Sequence, residues 1–112
     1  MDYTTILSSL VEPSRLKIVE LLRKGPQTVW EIADHLHIRQ PQASKHLRVL
    51  HEVGIVEFDA EENRRIYKLR SEPFKALGSW LNEYRDMWEE KFDNLDRYLQ
   101  DLQKIENKEN EN

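Results

Sequence analysis

Apolar residues recur along the first half of the chain at three- and four-residue spacing, in short runs bounded by proline, glycine and small polar residues. Residues 3–11 carry Ile6, Leu7, Leu10 and Val11 as a stripe behind Asp2, whose carboxylate can cap the first turn. Pro13 suits a first helical position and opens a second helix, with Ile18, Leu21 and Leu22 inward and Gly25-Pro26 as the stop. Thr28 caps a third, residues 29–36, with Ile32, Ala33 and Leu36 on one face. A fourth helix, at about 41–52, is entered at Pro41 and closed by Gly54, which can take the left-handed conformation of a helix C-cap. Its Ala43, Leu47, Leu50 and Val53 face one way, and Gln42, Lys45, Arg48 and Glu52 mainly the other. Two helices around a short turn, residues 37–40, with the second helix polar on its outside, make a helix-turn-helix unit.

After Gly54 the period falls to two. Residues 55–58 and 65–69 read as strands around a polar tip, residues 59–64, so a hairpin over 55–69 stands beside the helix-turn-helix as a wing. From Pro73 the period is helical again. Phe74, Leu77, Leu81, Tyr84, Trp88, Phe92, Leu95, Leu99 and Leu102 form a coiled-coil-like seam with one extra four-residue step near its middle. A helix of about thirty residues would be ~45 Å long, more than so small a domain can cover, so part of this seam is expected to bury against another chain. Residues 106–112 have no apolar anchor and are expected to be a disordered tail. The fold class is mainly α with a small β-hairpin, a winged helix-turn-helix over residues 1–72 with a long C-terminal dimerisation helix at 73–105.

Length and composition narrow the function. A chain of 112 residues holds one domain with a real core, and without cysteine it has no disulfide or thiolate ligand. No apolar run approaches the ~20 residues of a membrane span, and the N-terminus lacks a signal pattern, so a soluble cytoplasmic protein without membrane contact is expected. The formal net charge is −4, which argues against a nucleic-acid partner until its distribution is considered. Residues 1–72 hold 11 Lys+Arg against 11 Asp+Glu, whereas residues 73–112 hold 6 against 10, so the excess acid lies in the C-terminal third. Residues 35–51 contain no acid, yet carry Arg39, Lys45, Arg48 and all 4 histidines. Gln40, Gln42, Ser44, Lys45 and Arg48 are the candidates to face a DNA duplex: Gln can pair with adenine, Arg with guanine, and Ser44 and Lys45 can equally hold phosphates. Arg64 and Arg65 at the wing are further candidates, in competition with Asp59, Glu61 and Glu62. His46 could donate to DNA or pack at a helix crossing.

The order of motifs resembles that of the ArsR/SmtB winged-helix repressors: L-x-x-P-S-R-L-x-I at residues 10–18, R-Q-P-Q-A-S-K-H-L-R-V-L at 39–50, G-I-V at 54–56 and R-R-x-Y-x-L at 64–69. The resemblance covers roughly residues 3–72. It implies a homodimer joined through its first and last helices, with the two recognition helices in successive major grooves of an operator. Ile6 and Leu10, and Leu77, Leu81, Tyr84, Trp88, Phe92 and Leu95, are then the expected interface. Metal-sensing relatives carry two cysteines where this chain has Thr28 and Trp30, and others use carboxylates and histidines of the last helix, whereas residues 73–112 have no histidine. No metal and no cofactor is therefore expected, and Trp30 is placed in the core.

Other constellations carry less. His35 and His37, two apart on a helix, do not converge on a metal, and Ser44 and His46 cannot face each other as nucleophile and base, so no enzyme is expected. Trp80, Tyr84 and Trp88 could line an effector pocket, but Tyr84 and Trp88 lie on the seam and fit a dimer interface better. The expectation is a homodimeric repressor of a nearly palindromic double-stranded operator with half-sites ~34 Å apart, released by an unidentified small-molecule or protein effector or by dilution. The alternative is a protein-interaction module that docks a partner through the C-terminal helix without binding DNA.

Overall fold

The computed structural model describes residues 2–110, except for the side chains of residues 88, 91, 92 and 108–110. The chain divides into two compact units, one ending at Leu77 and the other beginning at Gly78.

The first unit follows the sequence pattern closely. Helices α1 (Tyr3–Val11), α2 (Pro13–Arg23), α3 (Val29–Leu36) and α4 (Gln40–Val53) surround a core of Ile6, Ile18, Val19, Leu22, Ile32, Ala33, Ala43, Leu47 and Leu50. The first three helix starts have a side-chain N-cap. Asp2 accepts from the Thr4 N–H at 3.1 Å, and Glu12 from the Arg15 N–H at 2.8 Å. Thr28 and Glu31 cap α3 reciprocally: the Thr28 N–H donates to Glu31 Oε1 at 3.0 Å, and the Glu31 N–H to Thr28 Oγ1 at 3.3 Å. The bond from the Thr28 N–H foremost, and the Thr28 hydroxyl after it, hold the Glu31 carboxyl below the ordinary glutamate range.

The turn between α3 and α4 depends on His37, which closes α3 in the left-handed conformation at φ 56°, ψ 42°. Histidine tolerates that region better than β-branched residues do. Behind it the Ile38 N–H donates to the Ala33 carbonyl at 3.1 Å, and the Ile38 side chain packs on the core. Gly54 ends α4 in the same way at φ 89°, with the Ile55 N–H donating to the Leu50 carbonyl at 2.9 Å.

Strands β1 (Gln27–Thr28), β2 (Val56–Glu61) and β3 (Arg64–Leu69) form an antiparallel sheet in the order β1-β3-β2. The wing ladder is longer than the sequence suggests. Residues 59–61 and Arg64, expected in a loop, pair across the strands in the register Asp59↔Ile66, Ala60↔Arg65 and Glu61↔Arg64, leaving a tight tip in which Glu62 has φ 52°. Exposed polar side chains there hid the strand, because a ladder with solvent on both faces has no apolar alternation. Strand β1 is too short to leave a pattern.

Helix α5 (Ser71–Asn82) begins in the first unit, where Pro73 is buried and Phe74 and Leu77 pack on the core. In the second unit the expected single long helix is instead divided. The Glu83 N–H donates to the Trp80 carbonyl at 3.2 Å and the Tyr84 N–H to the Leu81 carbonyl at 3.0 Å, three-residue bonds that tighten the backbone out of the α ladder. Helix α6 (Arg85–Asn110) follows. It continues through residues 106–110, where the sequence predicts a disordered tail; Glu and Lys are good helix formers even without an apolar anchor. Glu111 and Asn112 lie outside the described residues.

Two outcomes test these caps. Gly54→Ala is expected to cost about 1 kcal/mol or more in urea denaturation, since φ 89° disfavours a Cβ. Glu31 has a folded pKa below its ordinary 4.5, so its charged form stabilises the fold above that value and the contribution is lost as pH falls through the folded pKa. The difference in melting temperature between the wild type and Glu31→Gln should therefore shrink on acidification below pH 4.5.

Candidate nucleic-acid interface

Gln40, Ser44, Arg48 and His51 are four, four and three residues apart, which places them on one side of α4. Facing them across a groove of about 390 Å³ are Arg64, Arg65, Phe58 and Tyr67 of the wing, with Thr28, Val29 and Trp30 at the start of α3. No carboxylate lines this groove among the described residues. Gln40 Nε2 donates to Ser44 Oγ at 3.0 Å, which holds both polar groups along the wall.

The wing meets α4 through tilted ring contacts. The Phe58 ring lies 5.1 Å from the His51 ring and 5.5 Å from that of Tyr67, and the Arg65 guanidinium sits over Phe58 at 4.4 Å. Of the acids that compete with the wing arginines, Asp59 and Glu61 have partners: Lys68 reaches Asp59 at 3.2 Å, and also Glu57 at 3.9 Å, and Arg64 lies 3.8 Å from Glu61.

Of the eight residues expected at the duplex, Gln40, Ser44, Arg48, Arg64 and Arg65 line the groove. Lys45 is exposed but lies off that wall, about 100° around the helix from Ser44. Gln42 is exposed as well, and its Oε1 accepts from the Arg39 N–H at 3.2 Å, so it closes the start of α4. His46 is turned away and half-buried, with Nδ1 3.7 Å from Glu12 Oε2, which favours the helix-crossing alternative. The Arg15 N–H, and after it the charge of His46, lower the Glu12 pKa against the opposing effect of partial burial.

Trp30 corrects the sequence reading. It is 66% exposed, not in the core, because Ile32, two residues on, is fully buried on the opposite side of α3. That spacing was available in the sequence, as was the position of His51 three residues beyond Arg48. Phe58 and Asn63 had no comparable signal.

The expected interface residues divide similarly. Ile6 is 2% exposed and belongs to the core, while its neighbours on the other face of α1, Tyr3, Leu7 and Val11, are exposed. Leu10 and Leu77 are half-buried against the core. Leu81, Tyr84 and Leu95 are exposed, and Trp88 and Phe92 lie outside the described side chains. Among the described residues no group of three or more His, Cys, Asp or Glu is placed to hold a metal ion. No described helix is long and apolar enough to cross a membrane.

Helix, left-handed turn, second helix and hairpin together define a winged helix-turn-helix module. The arsR family of bacterial regulatory proteins matches residues 12–57. The arsenical resistance operon repressor of Staphylococcus xylosus is 32% identical over 71 residues, 63% of this chain and 68% of that protein. The transcriptional repressor SmtB of Mycobacterium tuberculosis is 36% identical over 64 residues, 57% of this chain but only 47% of that protein, so the chain matches about half its length. A crystal structure of an ArsR family transcriptional regulator superposes with a TM-score of 0.67 at 30% identity, covering 77% of this chain and 89% of the other. The homodimeric winged helix-turn-helix DNA-binding domain of a possible ArsR-family regulator from Mycobacterium bovis gives a TM-score of 0.61 at 28% identity, covering 74% and 77%. The chain belongs to the ArsR family of winged helix-turn-helix transcriptional regulators, which are not enzymes.

Phe58→Leu keeps an apolar side chain but removes the ring contacts. It is expected to lower stability by about 0.5–1.5 kcal/mol in chemical denaturation.

Proposed function

We propose that this protein is a homodimeric repressor that binds a nearly palindromic double-stranded operator through α4 in the major groove, with the β2–β3 hairpin as wing. The observation that carries the reading is the acid-free groove in which Gln40, Ser44 and Arg48 face Arg64 and Arg65. Guanidinium and amide groups in that arrangement offer donors to phosphates and to base edges alike. Relatives named as repressors, and a similar domain named as homodimeric and DNA-binding, support the assignment.

Exposed apolar surface supports the dimer. Leu95, Leu99 and Leu102 continue along one side of α6, and Tyr98 and Ile105 flank them, all exposed. On α1 the strip Tyr3, Leu7 and Val11 is also exposed. Two copies related by a two-fold axis would cover such strips and present two α4 helices to half-sites ~34 Å apart.

The test is a fluorescence anisotropy titration against duplexes selected from random DNA, repeated over a salt series. Sequence-selective binding with a negative salt slope is the expected result; a chain acting only as a protein adaptor would select no sequence. Arg48→Ala is expected to weaken the selected site by ~1–3 kcal/mol where Arg48 reads a base, or to reduce the salt slope by about one unit where it meets a phosphate. An unaltered affinity and slope would remove Arg48 from the interface.

A further inference from the structure

We propose that Trp30 contacts DNA: its indole forms the apolar side of the groove between α4 and the wing and packs on the sugar–phosphate backbone of one strand. The inference rests on the operator-binding reading above and adds to it a residue outside both recognition helix and wing.

An isolated exposed aromatic needs no explanation, but the location of this one does. Trp30 is 66% exposed at the start of α3, and it lines the same concavity as Arg48, Arg64 and Arg65. The opposing α4 wall adds Gln40 and Ser44, joined to each other at 3.0 Å. A large apolar face and three guanidinium groups around one groove call for an occupant that is both anionic and rich in C–H surface. A DNA strand has that alternation in every nucleotide: phosphate oxygens for the guanidinium groups and the indole N–H, and deoxyribose for the ring face. In a duplex the bases are stacked inside, so the ring meets sugar and its contribution does not depend on sequence.

The chemistry sets this contact apart from a cationic one. An uncharged indole displaces no counterion, so its loss lowers affinity without altering the salt dependence, whereas loss of an arginine on a phosphate alters both. Trp30→Ala is expected to weaken binding to the selected operator and to random duplex by the same factor, roughly tenfold, with an unaltered salt slope. Trp30→Phe should recover most of the loss. The local readout is fluorine NMR of the full chain labelled with 5-fluorotryptophan. The protein has 3 tryptophans, and the resonance missing from Trp30→Phe identifies Trp30. On addition of duplex that resonance is expected to shift.

A Trp30 resonance that stays in place while the wild type binds duplex, together with unweakened binding by Trp30→Ala, overturns this proposal alone. A wild-type chain that binds no duplex overturns it together with the repressor reading.

Discussion

A single residue in the left-handed region governs where the candidate interface lies. His37 redirects the backbone at φ 56°, ψ 42°, and the Ile38 amide fastens the redirected chain to the Ala33 carbonyl. Helix α4 then crosses α3 closely enough that Ala43 and Leu47 have no exposed surface. Left-handed geometry is unfavourable for a residue with a Cβ by roughly 1–2 kcal/mol, and the buried contacts on either side of the turn offset that cost. Gln40, Ser44 and Arg48 take their positions from this turn, because each is fixed to α4 and α4 is fixed by its entry.

Charge is organised on the same local scale. A net charge of −4 describes the whole chain but not the groove, whose described lining includes three arginines and no acid. The exposed ion pairs of the wing add little to stability. Their effect is on the field: Lys68 lies between Glu57 and Asp59, and Arg64 beside Glu61, so two cations offset part of the charge of the three acids of β2. The tilted rings of His51, Phe58 and Tyr67 link helix and wing, and Arg65 lies over the Phe58 ring among them.

Much of this arrangement was legible in the sequence, since caps and helical periods are local signals. Asp2, Pro13, Thr28 and Gly54 mark element ends by side-chain chemistry that does not depend on the rest of the fold. Features that depend on tertiary context were not legible. Both Ile6 and Leu7 are apolar, and only packing decides that Ile6 turns inward and Leu7 outward. The seam from Phe74 to Leu102 reads as continuous because side-chain spacing survives a short tightening of the backbone at residues 83–84. Trp30 is exposed where the sequence reading places it in the core, and the position of Ile32, two residues on, indicates its outward face. Five of the eight duplex candidates meet in one groove because they share a helix face or a strand end, whereas His46 is drawn aside by Glu12, a partner more than thirty positions earlier in the chain.

The two sides of α4 share no residue. Ala43, Leu47 and Leu50 are fully buried, while Gln40, Ser44 and Arg48 line the groove, and neither set contributes to the other's surface. Substitutions on the outer set therefore leave the jigsaw of the inner set intact, and surface changes of that kind usually move stability by little. Under the operator-binding proposal, such a helix can be retargeted toward new sequences one groove-lining position at a time, without rebuilding the scaffold beneath.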